Sequence, residues 1–177
     1  MKSLSQYIQE KLIIKKNKST NYKYFPESKD ELKDIILKRI KDEGNEVDLN
    51  DIDVSKITDM STLFKDTNFN GDISAWDVSN VKDMSFMFYG CKSFNQDISN
   101  WNVSSAKYMM DMFDDCESFN KDISTWDVSN VKYMNNMFCG CKLFNKDISA
   151  WDVSNVIDMQ GMFYNCSIKE KYKPKFK

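Results

Sequence analysis

The sequence predicts an α/β repeat solenoid, with short parallel strands and short return helices stacked coil on coil behind an N-terminal helical cap. The first observation behind this is a period: Trp76, Trp101, Trp126 and Trp151 each stand 25 residues apart. The second is that Phe88, Phe113, Phe138 and Phe163, and Cys91, Cys116, Cys141 and Cys166, keep the same interval. Self-similarity at a fixed period of about 20–50 residues marks stacked repeat architectures. The third is a change of spacing inside each copy. Ile73-x-x-Trp76-x-Val78 reads as a short strand with one side inward. Val81, Met84, Phe88, Cys91 and Phe94 follow at the 3–4 spacing of a short helix or helical turn.

Taken in order, 1–16 carries Leu4, Ile8 and Leu12 at four-residue intervals among Gln, Glu and Lys, so an amphipathic docking helix is expected. Gln6, Gln9, Glu10 and Lys11 interrupt any signal-peptide core. No window approaches the roughly 20 apolar residues of a membrane span. Residues 17–27 read as an extended connector whose Tyr22, Tyr24 and Phe25 pack on the body. Ser28-Lys29-Asp30-Glu31 is a capping-box pattern, and the helix within 28–47 should stop at Gly44. Its broad apolar face suits it to cover the open end of a repeat stack.

Five repeats are expected over 48–166, divided as 48–71, 72–96, 97–121, 122–146 and 147–166. The first is atypical: Ile52 stands for Trp, Thr67 stands for Cys, and the unit is one residue short. Residues 167–177 form a basic tail, with Lys173, Lys175 and Lys177 as candidate docking groups together with Leu4, Ile8 and Leu12.

Composition narrows the function classes. With 27 acidic and 25 basic residues the net charge is −2, and nothing suggests a nucleic-acid surface. There are no histidines, which removes the commonest general base and metal ligand. No P-loop or GxGxxG is present, and Ser/His or Cys/His chemistry is impossible. The expectation is a non-enzymatic chain with no cofactor.

Several columns invite a chemical reading. Four of the five cysteines share one column, leaving Cys139 over. Amid Phe and Met they read as reduced core thiols, although the spacing of coils does not itself forbid a disulfide. Zinc is disfavoured because a line is not a tetrahedral cluster. The Trp column reads as core. Asn70, Asn95, Asn120 and Asn145 each precede an Asp by two residues, a pattern open to Ca²⁺ but also met by Asx turns and a stacked Asn ladder. Asp77, Asn102, Asp127 and Asp152 stand outward between the inward Trp and Val, and Ser79, Ser104, Ser129 and Ser154 follow the Val. They form a candidate strip for a basic protein segment, or local caps of the following turn.

The spacing Val-x-x-Met-x-x-x-Phe-x-x-Cys-x-x-Phe, closed by Asn-x-Asp-Ile-Ser-x-Trp-Asp-Val-Ser, resembles the BspA-type leucine-rich repeat of bacterial surface proteins over about 48–166. The resemblance implies a leucine-rich-repeat-like fold and a non-catalytic role in adhesion or protein binding. Such surface proteins are exported, whereas this sequence shows no signal peptide, so a cytoplasmic or particle-associated location is expected ahead of secretion. A second expectation is a subunit of a large assembly, such as a phage virion, docked through its non-repeating ends.

Overall fold

The computed structural model describes residues 21–175. The helix expected over 1–16, with Leu4, Ile8 and Leu12, lies outside the described residues, as does Lys177.

Helix α1 spans Lys29–Glu43. Ser28 is extended and its Oγ accepts from the Glu31 amide at 3.2 Å, satisfying one of the donors a helix start leaves free. The Glu31 carboxylate accepts from the Glu27 amide at 2.7 Å, one residue upstream of the usual capping box. Gly44 ends the helix at φ +93°, its amide on the Ile40 carbonyl at 2.9 Å. Leu32 and Ile36 are fully buried and join the core of the first repeat. Arg39 ties helix to repeat: it pairs with Glu43 and reaches Asp51 Oδ1 at 2.9 Å and the Asp48 carbonyl at 3.0 Å. Burial opposes the charges of Arg39 and Asp51. Their mutual hydrogen bond, with Glu43 on one and Lys23 on the other, outweighs it and holds both ionised.

The repeats do stack in register, but they are not built from strands and helices, so the expected α/β plan is corrected. Among the described residues there is one α-helix, one 3₁₀ turn at Glu170–Tyr172, and only isolated parallel bridges. Four of these bridges link neighbouring repeats: Asp59 to Asp83, Asp83 to Tyr108, Tyr108 to Tyr133, and Tyr133 to Asp158.

Repeat three shows what replaces the return helix. Met112, Asp114 and Cys116 donate to carbonyls three residues back, at Met109, Asp111 and Phe113. The alternate amides of Met109, Asp111, Phe113 and Asp115 leave the coil instead. They meet Tyr133, Asn135, Met137 and Cys139 carbonyls of the next repeat at 2.8–3.0 Å. Asp111 and Asp115 have φ of 53° and 56°, which neither a right-handed helix nor a strand accommodates. The same left-handed pair recurs at Thr62 and Asp66, Phe86 and Gly90, Asn136 and Gly140, and Gly161 and Asn165. Overlapping turns return the chain every three to four residues, so they bury Met, Phe and Cys at the spacing of a helix while sending every second amide sideways. The expected strand fails for a related reason. Its inward residues stand at i, i+3 and i+5, and Trp101 closes a turn onto Ile98 at 3.2 Å.

Packing follows from this register. Successive rings of Phe64, Phe88, Phe113, Phe138 and Phe163 are 5.4–5.9 Å apart, each nearly parallel to the last. Stacked rings of this kind add to the burial of their own area. The core is one continuous column reaching from α1 to Ile168.

Candidate functional site

The constant columns have their polar atoms engaged in the stack. Each Trp donates its indole N–H to the preceding repeat: Trp76 to the Leu49 carbonyl, Trp101 to Ile73, Trp126 to Ile98 and Trp151 to Ile123, at 2.9–3.2 Å. The cysteines are free thiols. Cys91, Cys116 and Cys141 donate to the Phe64, Phe88 and Phe113 carbonyls at 2.9–3.0 Å, and burial pushes their thiols up. In repeat one, Thr67 stands at the cysteine position, and its Oγ1 donates to the Phe64 carbonyl of its own turn at 2.7 Å.

The Asn column is a ladder. Oδ1 of Asn70, Asn95 and Asn120 accepts the backbone amide of Asn95, Asn120 and Asn145 at 2.8–3.1 Å, and Asn145 Oδ1 accepts from Lys169 at 3.0 Å. The Asp residues that follow form Asx turns; Asp97 and Asp122, for example, take the Ser99 and Ser124 amides at 3.0 and 2.9 Å.

The outward strip of Asp77, Asn102, Asp127 and Asp152 is exposed. Each spends one side-chain oxygen on its own turn, accepting from the amide of Ser79, Ser104, Ser129 or Ser154 at 3.0–3.2 Å. The hydroxyls of Ser104 and Ser129 add bonds of 2.7 and 2.6 Å to the same oxygens. These bonds hold the Asp127 carboxyl below its ordinary value. At the C-terminal side Lys173 is not free: its Nζ pairs with Glu170 at 2.7 Å and lies 5.5 Å from the Phe163 ring centre. Lys175 is exposed.

Other exposed columns differ from repeat to repeat. Two of them vary for reasons of stacking. Glu117 stands between Lys92 and Lys142 and pairs with both, at 3.5 and 2.7 Å. Asp66, Gly90, Asp115, Gly140 and Asn165 occupy one left-handed position. There a Cβ on Gly90 would lie 2.7 Å from Asp66 Oδ1, and one on Gly140 would lie 2.2 Å from Asp115 Oδ1.

The remaining variation lies along one flank, on the turn run. Tyr108 and Tyr133 stack at 5.7 Å, where the neighbouring repeats carry Asp83 and Asp158. Lys65 sits over Phe86 and Tyr89, at 5.5 and 4.8 Å from their ring centres. Asn136 Nδ2 bonds Asp111 Oδ1 at 3.1 Å. Burial, reinforced for Asp114 by neighbouring carboxylates, raises the pKa of Asp111 and Asp114, and burial beside Asp114 pushes the Cys139 thiol up to about 12. An open depression of about 350 Å³, lined by Asn135, Asn136, Asp158, Gln160, Gly161 and Tyr164, continues the flank into repeat five.

This flank carries aromatic rings beside amides and carboxylates able to make directed hydrogen bonds. Reading each column for its chemistry passed over it. Comparing the repeats with one another finds it, because stacking prescribes the constant columns and leaves these open.

A family model described as "Mycoplasma protein of unknown function, DUF285" matches residues 36–132 and 109–172. No curated protein and no solved structure matches the chain. Among the described residues no helix is long and apolar enough to cross a membrane.

Proposed function

The chain belongs to this Mycoplasma family of unknown function, and on that premise we propose that it is a non-catalytic protein-interaction module of the BspA type. The observation that carries the reading is the division of labour among columns. Trp, Cys, Asn and Asx side chains are engaged in stacking and turns, while identity varies along the flank that holds the Tyr108–Tyr133 pair. A partner gains from rigid aromatic rings that lose little entropy on burial. The exposed Asp77, Asp127 and Asp152 row adds negative charge to steer a basic segment. An assembly role has one observation in its favour: among the described residues none accepts from the amides of Met159, Gly161, Phe163 and Asn165 in repeat five.

The test is a crosslinking survey with the wild type, an Asp77→Lys/Asp127→Lys/Asp152→Lys variant, and a Tyr108→Ser/Tyr133→Ser variant, each checked for unchanged folding. The proposal expects a partner that at least one variant loses. Recovery of no partner, or of the same partners by all three proteins, overturns it.

A further inference from the structure

Among the described residues, four repeats have their outgoing amides covered by the next coil, and the fifth does not. In repeat four, Met134, Asn136, Phe138 and Gly140 donate to the carbonyls of Asp158, Gln160, Met162 and Tyr164 at 2.8–2.9 Å. The matching amides of repeat five belong to Met159, Gly161, Phe163 and Asn165, and no described residue accepts from them. The apolar columns lose cover at the same place. Met134 and Phe138 are fully buried, whereas Met159 and Phe163 are only partly so. Phe113 has ring neighbours on both sides, at 5.5 and 5.6 Å; Phe163 has Phe138 on one side and the Lys173 ammonium nearby.

The chain after repeat five closes only the other part of the coil. Ile148 donates to the Tyr172 carbonyl at 3.0 Å, the bond that Leu49 makes to Asp72 between repeats one and two. The turn run is left as an edge of backbone donors beside an apolar strip.

We infer that this edge is a docking site for a coil of the same repeat kind supplied by another polypeptide, one that presents carbonyls on alternate residues with apolar side chains between them. The polarity of the edge selects the occupant. Two copies of it cannot pair, because each would set N–H against N–H. The acceptor side of this chain's own first repeat faces α1, whose Leu32 and Ile36 are buried in the core and whose Lys29 Nζ meets Asp59 Oδ2 at 2.8 Å and Ser61 Oγ at 2.9 Å. A second copy therefore offers no matching face without giving up that helix. Addition of backbone to an unpaired edge is an established mode of recognition, in which main-chain bonds give affinity and pockets give register. The site is at the end of the stack and stands or falls separately from the flank.

The experiment is site-resolved amide exchange on the full chain, alone and with a synthetic peptide of sequence 81–95, which carries the turn run of repeat two. Alone, the amides of Met159, Gly161, Phe163 and Asn165 exchange as open groups while those of Met134, Asn136, Phe138 and Gly140 are protected. With the peptide the four open amides slow by about tenfold or more, and neither a scrambled peptide nor one bearing Phe88→Asp has this effect. The inference is overturned if the four amides are protected without peptide, whether by the chain itself or by concentration-dependent self-association. It is equally overturned if peptide up to about 1 mM leaves them unchanged.

Discussion

Replacing Trp101 by Phe separates an indole that holds the stack together from one that is simply available as a ring. Trp101 is 4% exposed, stacks on Trp76 at 6.5 Å, and gives its N–H to the Ile73 carbonyl at 3.1 Å. Phe keeps an aromatic face but removes the indole donor; the Ile73 carbonyl keeps the Trp76 amide at 3.2 Å, so losing the second bond costs about 0.5–1.5 kcal/mol. The smaller ring also leaves part of the indole volume empty, adding about 1–1.5 kcal/mol, the lower part of the large-to-small range. The expected loss is about 1.5–3 kcal/mol. Urea unfolding followed by far-UV circular dichroism measures it, and an unchanged dependence on urea shows that the compared states are the same. A loss below about 0.5 kcal/mol, the size of an ordinary surface substitution, refutes the reasoning.

The Asn ladder makes a sharper distinction: Asn120→Ala strands the Asn145 amide and should cost about 1–3 kcal/mol. Asn120→Asp keeps the acceptor, costs less, and gains nothing from added calcium; a calcium-dependent rise in stability would instead favour a cation site. At the left-handed position, Gly140→Ala combines strain at φ +67° with a Cβ lying 2.2 Å from Asp115 Oδ1, so it should cost at least about 1 kcal/mol. Adding Asp115→Ala should recover the steric part, and strict additivity in urea unfolding would contradict the contact. The Ser99 and Ser124 amides and then their hydroxyls hold Asp97 and Asp122 below the ordinary carboxylate range. A depressed carboxylate contributes its stability above the unfolded value of about 3.9 and loses it as pH falls through the folded one. The Asp97→Asn/Asp122→Asn protein should therefore lose less stability than wild type on acidification from about pH 5 to pH 2. Parallel curves would remove the Asx bonds from the account. Asn102, already an amide in an equivalent turn, shows that the exchange is compatible with the fold.

The repeat period and core columns were legible because five copies multiply a weak signal, and Phe113 or Trp126 at a fixed interval is difficult to place anywhere but inside. The helix at Lys29–Glu43 was legible because its cap at Ser28 and its stop at Gly44 are local chemistry. The conformation between Met109 and Cys116 was not. Spacing records which side chains turn inward, and overlapping turns share that spacing with a helix. What separates them is where alternate amides go, and a carbonyl 24 residues ahead leaves no mark on local periodicity. A trace did exist in the series Asp66, Gly90, Asp115, Gly140 and Asn165, which are residue types that tolerate a left-handed backbone. Asp77, Asn102, Asp127 and Asp152 are exposed while Ser79, Ser104 and Ser129 are half-buried, and the near-constancy of both columns across repeats signals a turn at least as much as a partner. Tyr108 and Tyr133 carried the opposite signal, an exposed and a half-buried ring at a position where Asp83 and Asp158 show that stacking demands no particular side chain.

The central claim is that the second half of each repeat is a run of turns whose alternate amides bind the next coil. It is tested most directly by the sign of φ at Asp111 and Asn136, read by NMR from the intraresidue amide-to-Hα contact and the one-bond Cα–Hα coupling. The structure predicts a left-handed backbone at both residues, near +53°, flanked by right-handed or extended neighbours. Negative φ at both, with an unbroken run of helical shifts through 109–116, would contradict it and restore the return helix.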